Sequence, residues 1–244
     1  VVLAAHVSVG RGAAIGAAYA QKPDAQRLIH TIQDALSLQL DTAAEENDWF
    51  DDFAKEFRTR ALMNGRNDQN PNALYYSTLN HILADTDIED TKIPFTAVTV
   101  DAITGQEFHL QVGSIRRAVL ASSALPGVMP PVEWDNKLFI DGAATSALPV
   151  DAARTLAADP VVAVDVSSAL LPQSRFKNAA ALFVRNTQIL ARSHRQTLAA
   201  KADVVIEPDV GRFHFSDFAQ PEHIIEQGRQ ATLEAMPLIK KLEG

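Results

Sequence analysis

Two short stretches, far apart in the chain, carry residue types that could serve nucleophilic or acid–base chemistry. The first is His6-Val7-Ser8-Val9-Gly10, which follows the apolar run Val1 to Ala5 and precedes the small-residue segment Ala13 to Ala20. A serine on a tight turn from strand to helix presents its hydroxyl at the edge of a sheet. Such a hydroxyl becomes a nucleophile when a neighbouring base takes its proton. The second stretch is Asp141-Gly142-Ala143, directly after the apolar run Leu138-Phe139-Ile140. Functional groups in α/β sheets gather just beyond strand ends. Partial burial raises a carboxylate's pKa toward the range useful for a base. Each stretch also has a plainer reading, since serine at a strand end and Asp-Gly are both common in turns.

Other chemistries find less support. The chain has no cysteine, so a thiol nucleophile, a disulfide framework and Cys-ligated zinc are excluded. Its seven histidines form no H-x-x-x-H or H-E-x-x-H pattern, so no metal site is expected. No cofactor is expected either. A Ser-His-Asp triad stays open in principle, but no single histidine stands out as its base. Gly10-x-Gly12-x-x-x-Gly16 approaches the dinucleotide-binding glycine pattern. The spacing is one residue too long, and no second strand ends in Asp or Glu about 20 residues on.

The elements that must position these residues can be read from periodicity. Val1 to Ala5 reads as a buried strand, Ser8 to Gly12 as a turn, and Ala13 to Ala20 as a helix. Helices are expected over Asp24 to Gln39, Glu45 to Met63 and Asn72 to Ala84, with a surface loop over Asn64 to Asn72. Phe95 to Asp101 and Glu107 to Val112 form a hairpin about the turn Ile103-Thr104-Gly105. A helix capped by Ser114 follows, and Pro126, Pro130 and Pro131 break what comes after it. Leu138 to Ile140 is a short strand, Pro149 to Ala157 a helix, and Val161 to Val166 a fully apolar strand. Phe176 to Lys201 is a long helix, Asp203 to Glu207 a last strand, and Ile224 to Leu242 a closing helix. Strands alternating with helices imply a mostly parallel sheet covered on both faces.

Composition sets outer limits. The 244 residues are 47% hydrophobic and 21% charged, enough for a sizeable core. The net charge is −8, which argues against a nucleic-acid partner. The basic pairs Arg116-Arg117 and Lys240-Lys241 are too short for a phosphate-binding stripe and read as solvated helix ends. No apolar run approaches the ~20 residues of a membrane-spanning helix.

Several ordered motifs together resemble the bacterial patatin-like phospholipases. Arg116 to Val132 contains Ala121-Ser122-Ser123-Ala124-Leu125-Pro126-Gly127-Val128-Met129-Pro130-Pro131, similar to that family's A-S-x-A-x-P-x-x-x-P-P run. Asp141-Gly142-Ala143 then stands where the family has D-G-[GA]. Ile93 to Asp101, Ala202 to Asp209, Asp217-Phe218 and Ile224 to Gly228 are similar to further family segments, so the likeness spans most of the chain. It is weakest from Gln21 to Asp90.

The resemblance implies a three-layer α/β/α fold with a mostly parallel central sheet. It implies one patatin-like domain over residues 1–244, lacking the family's upstream strand and glycine-rich loop. It implies a lipid acyl hydrolase that uses a Ser–Asp dyad and an acyl-enzyme, with Asp141 as the base and Gly142 as motif support. Two alignments compete for the nucleophile. Read forward from the strand, it is Ser8, with Gly10 supporting the elbow, His6 in place of a family glycine, and Arg11-Gly12 as an insertion. Read backward from the helix, Gly10 takes the position and the chain is a catalytically silent, lipid-binding member of the fold. A dinucleotide-binding domain is the remaining alternative. The implied partner is a lipid ester, with peripheral membrane contact at most, in the cytoplasm. Phe50, Phe53, Phe57 and Leu62 would face acyl chains, a membrane or, most simply, the core.

Overall fold

The computed structural model of the chain describes residues 6–8, 12–40, 73–126, 129–156, 159–167, 170, 172–210 and 221–242. The strand expected over Val1 to Ala5, the helix over Glu45 to Met63 with its phenylalanines, the loop 64–72, Gly10 and the Asp217-Phe218 motif lie outside these residues. The chain divides into two compact units, Ala4–Thr145 and a second made of Ser146–Gly244 with Val1–Leu3.

The first unit is built around strand β2, which numbering in chain order places after β1 (His6–Ser8). β2 covers Phe95–Asp101, and all seven of its residues are buried. Its sequence, F-T-A-V-T-V-D, is rich in β-branched and aromatic residues, as suits a strand covered on both faces. β1 runs parallel to it, with His6 opposite Phe95 and Ser8 opposite Ala97. β3 (Glu107–Leu110) and β5 (Lys137–Asp141) both run antiparallel to β2, and β4 (Val132–Trp134) pairs with β5.

The chain is therefore α/β, but the main described sheet is not mostly parallel: one of its four pairings is parallel and three are antiparallel. For two of the three antiparallel pairs, β2–β3 and β4–β5, the reason is local. Gly105 takes φ +74° in the turn after β2, and Asp135 and Asn136 take φ +49° and +60° between β4 and β5. Tight turns of this kind return the chain beside itself, which only an antiparallel pair accommodates. The β4–β5 hairpin is absent from the sequence reading because Pro130 and Pro131 suggest a break there. Its signal is the Asp-Asn dipeptide between Trp134 and Lys137.

Helices α1 (Gly12–Gln21), α2 (Ala25–Leu40), α3 (Ala73–Ile82) and α4 (Ile115–Ser122) belong to this unit. α1 packs on β1, and α4 packs on β2 and β5. Ala13, Ala17 and Ala20 of α1 are fully buried in a core with Leu79, Leu83, Phe95, Ile115 and Val119. Alanines at these positions let the helix lie close to its neighbours. Ser114 caps α4 as expected, accepting the Arg117 N–H at 3.4 Å. The pair Arg116-Arg117 is more than a solvated end. Arg116 donates from Nε and Nη2 to the Leu83 carbonyl just past α3, at 3.1 and 2.6 Å. The Arg117 guanidinium lies 5.1 Å from the Trp134 ring centre.

The second unit contains α6 (Val150–Thr155), which follows the short α5 (Ala143–Ser146), then β6 (Val162–Val164), α7 (Ala179–Ala199), β7 (Val204–Ile206) and α8 (Pro221–Lys241). β6 and β7 are parallel. Val204 and Ile206 pack on Ala235 and Ile239 of α8. Asp203 joins the parts: its carboxylate accepts the Val161 N–H at 2.7 Å and Arg154 Nη2 at 2.6 Å. These bonds hold its pKa below the usual carboxylate value. Of the run 161–166, Val161 and Ala163 are buried, whereas Val162 and Val164 are exposed.

Gly113 tests the first unit's packing. It takes φ +86°, and a Cβ there would stand 3.0 Å from Trp134 Cζ2. Gly113→Ala is expected to lower stability by about 1–3 kcal/mol, from backbone strain and a displaced indole. Urea unfolding measures this, and an unchanged midpoint would show that the conformation is not required.

Candidate active site

Register along β2 decides which residues meet. Ala97 is paired with Ser8 on one side and Leu110 on the other, and Thr99 with Asp141 and Phe108. β3 thus holds one edge of β2, and β1 and β5 share the other edge in succession. β1 runs parallel to β2 and its described part ends at Ser8, while β5 runs antiparallel and ends at Asp141. The two strand ends therefore point toward each other. Their partners are two residues apart on β2, about 6–7 Å at ordinary strand rise. The structure brings the backbones of Ser8 and Asp141 together across 133 positions of sequence.

Asp141 is 8% exposed. Its N–H donates to the Ala124 carbonyl at 3.0 Å. Its Oδ1 accepts the Ala143 N–H at 2.9 Å, a turn that fixes the carboxylate against its own backbone. Gly142 is buried, and its carbonyl accepts the Thr145 N–H at 3.1 Å. As the register partner of Thr99, Asp141 shares that residue's face of the sheet.

Three residues support this arrangement: Ser122 and Ala124 belong to the A-S-x-A run read from sequence, and Thr99 was not singled out there. Thr99 is fully buried, and its hydroxyl lies 2.6 Å from the Ile140 carbonyl and 3.3 Å from that of Ala121. Ser122 donates at 2.7 Å to the carbonyl of Val98, the β2 residue between the partners of Ser8 and Asp141. Ala124 holds the Asp141 backbone. The Ala121-Ser122-Ser123-Ala124 run thus fastens β5, which carries Asp141, and the central strand β2 to the end of α4. The available signal was two threonines inside an otherwise apolar strand.

Asp101 holds the pairing of β5 on β2. Its Oδ2 accepts the Thr104 hydroxyl at 2.7 Å, and its Oδ1 accepts N–H groups of Leu138 and Ile103 at 3.1 and 3.3 Å. The Thr104 bond leads the causes that lower its pKa, with burial opposing. Among the histidines, His109 Nε2 lies 2.8 Å from Glu107 Oε1, and Glu107 Oε2 accepts the Thr145 hydroxyl at 2.7 Å. His109 is the register partner of Val98. It therefore faces away from the side shared by Thr99 and Asp141. Among the described residues, no group of three His, Asp or Glu side chains is arranged to hold a metal ion.

The comparisons with known proteins point to one family. Residues 7–154, more than half of the chain, match the family described as patatin-like phospholipase. The mouse patatin-like phospholipase domain-containing protein 7 is 39% identical over 97 residues, 38% of this chain and 7% of that protein. An uncharacterized NTE family protein of Mycobacterium tuberculosis is 38% identical over 80 residues, 33% of this chain and 22% of its own length. Another from that organism is 27% identical over 177 residues, 62% of this chain and 30% of its own. The matched stretch covers less than a third of each of these relatives.

The lowered pKa of Asp101 gives a pH signature. Its folded value lies below its unfolded value, so its contribution is complete above the ordinary aspartate pKa near 4. It is lost as pH falls below that value. The stability difference between the natural chain and Asp101→Asn is expected to be largest at neutral pH and to shrink in acid. Parallel stability curves for the two proteins from neutral pH down to about pH 3 would contradict this.

Proposed function

The chain belongs to the patatin-like phospholipase family, and from that membership and the convergence of two strand ends we propose that it hydrolyses acyl esters of lipids with Ser8 as nucleophile and Asp141 as base. The observation that carries this reading is the register: Ser8 opposite Ala97 and Asp141 opposite Thr99 on one edge of β2. That spacing is within the combined reach of a hydroxyl and a carboxylate.

Asp141 accepts the proton of Ser8 as the serine oxygen adds to the ester carbonyl carbon. The tetrahedral species collapses, and the leaving alcohol takes the proton back from Asp141. Water, deprotonated by the same carboxylate, then attacks the acyl-enzyme and releases the fatty acid with Ser8 restored. The Ala143 N–H and the Ala124 carbonyl hold Asp141 in one place, so little reorganisation accompanies each transfer. Gly10 and Gly142 serve as the small residues beside the nucleophile and the base. Phospholipids, lysophospholipids and neutral-lipid esters are the substrate class, met by peripheral contact with a membrane. We read residues 1–244 as one domain because the family match crosses the boundary between the two units.

The rival readings draw less support. The silent reading needs Gly10 at the nucleophile position, which leaves no hydroxyl there for Asp141 to activate. The dinucleotide reading needs a second strand after the glycine turn, and helix α2 occupies that stretch.

Ser8→Ala and Asp141→Asn are each expected to lower ester hydrolysis by about a thousandfold or more while leaving the circular dichroism spectrum unchanged. A fluorophosphonate probe should label the natural chain and not Ser8→Ala. Full labelling of Ser8→Ala moves the nucleophile elsewhere, and full activity in Asp141→Asn removes the assigned base.

A further inference from the structure

Between Asp165 and Asp203 the chain has no acidic residue, yet it carries Arg175, Lys177, Arg185, Arg192, Arg195 and Lys201. These six positive charges stand in a chain of net charge −8, so the remainder carries −14, that is −8 less +6. Most of this basic stretch is α7, whose polar and apolar residues are sorted in an unusual direction. Leu182, Phe183, Ile189 and Leu190 are 54, 68, 48 and 60% exposed. At 100° per residue they fall within an arc of about 120°, with the exposed Asn186 and Ser193 between them. Arg185 and Arg192 line one border of that arc. Phe176, also exposed, stands between Arg175 and Lys177 on the approach to the helix.

Other residues of the helix and its end are engaged within the same unit. Leu198 is buried, Arg195 pairs with Asp165 at 2.8 Å, and Lys201, just past the helix, pairs with Asp151 at 2.5 Å. A helix of a globular unit ordinarily turns its apolar stripe inward. Here four large apolar side chains remain in water on one face, bordered by arginine and with no carboxylate on the helix. Exposed Leu, Ile and Phe beside Lys or Arg, on a helix that is not long and apolar enough to span a bilayer, are the features of a helix that lies in the membrane interface.

We propose that this face of α7 docks on the surface of an anionic lipid bilayer. Leu182, Phe183, Ile189 and Leu190 enter the boundary between headgroups and acyl chains, and Arg185 and Arg192, with Arg175 and Lys177, meet the lipid phosphates. The inference rests on the lipid-hydrolase reading only for its purpose, which is to bring the enzyme to its substrate.

Flotation of the full chain with vesicles tests it. Binding is expected to vesicles of phosphatidylcholine mixed with phosphatidylglycerol, to be weak on phosphatidylcholine alone, and to decline with added salt. Phe183→Ser with Leu190→Ser is expected to lower the bound fraction at least about tenfold. Arg185→Gln with Arg192→Gln should weaken binding only where phosphatidylglycerol is present. Neither pair should alter hydrolysis of a soluble short-chain ester or the far-ultraviolet circular dichroism. Vesicle binding without any ester hydrolysis supports the docking and overturns only the hydrolase reading. Failure of the natural chain to float, or flotation of the Phe183/Leu190 variant at the natural level, overturns the proposal. So does a solution dimer that this variant converts to a monomer, since it assigns the face to a second copy of the chain.

Discussion

A single edge of β2 serves two strands, and the first unit is arranged around that economy. A strand edge offers one row of backbone donors and acceptors, so β1 and β5 can share it only by ending where the other ends. Among the described residues, Val98 between them has no strand partner on that edge. The polar groups near it are satisfied by side chains: Ser122 bonds the Val98 carbonyl, and the Thr99 hydroxyl lies between Ile140 and Ala121. These hydroxyls are buried because the backbone groups they serve are buried, and leaving such groups unpaired is costly.

The helices follow from the same arrangement. α4 reaches the sheet through Thr99 and Ser122, and the chain just after it holds Asp141 through the Ala124 carbonyl. Its outward residues are not idle, because Arg116 ties it to the chain after α3 and Arg117 lies over Trp134 of β4. α1 can follow β1 closely because its buried positions are alanines. A site made of two strand ends is thus supported by a helix on each strand's account, one packed on β1 and one on β5.

Much of this was legible in the sequence. β2 is recovered with its ends at Phe95 and Asp101, and the helix capped by Ser114 appears where its cap places it. Both depend on local signals, period and capping, that the sequence carries within a few residues. The sheet's direction was not legible in the same way. Alternation of strand and helix suggests parallel pairing, but Gly105 and Asp135-Asn136 send two neighbours back the other way. Those turns depend on φ at single residues, a weaker signal than periodicity. Asp141 could be named from its motif, while its proximity to Ser8 required the register. Ser122 could be placed in its motif but not given a role, and Thr99 could not be named at all, because a buried threonine in an apolar strand looks like any β-branched residue until its partner is known.

The pleat of β2 gives the Asp101 contacts a further meaning. Successive residues of a strand face opposite ways, so a shift of β5 by one residue along β2 would carry Asp141 from the side of Thr99 to that of Val98 and Val100. Glu107 and His109, register partners of Val100 and Val98, occupy that side. The carboxylate would then exchange a setting of neutral hydroxyls and amides for one beside another acid. Length changes in β5 are tolerable only in pairs, and the Asp101–Leu138 bond acts as a parity check on how this part of the chain can vary over evolutionary time.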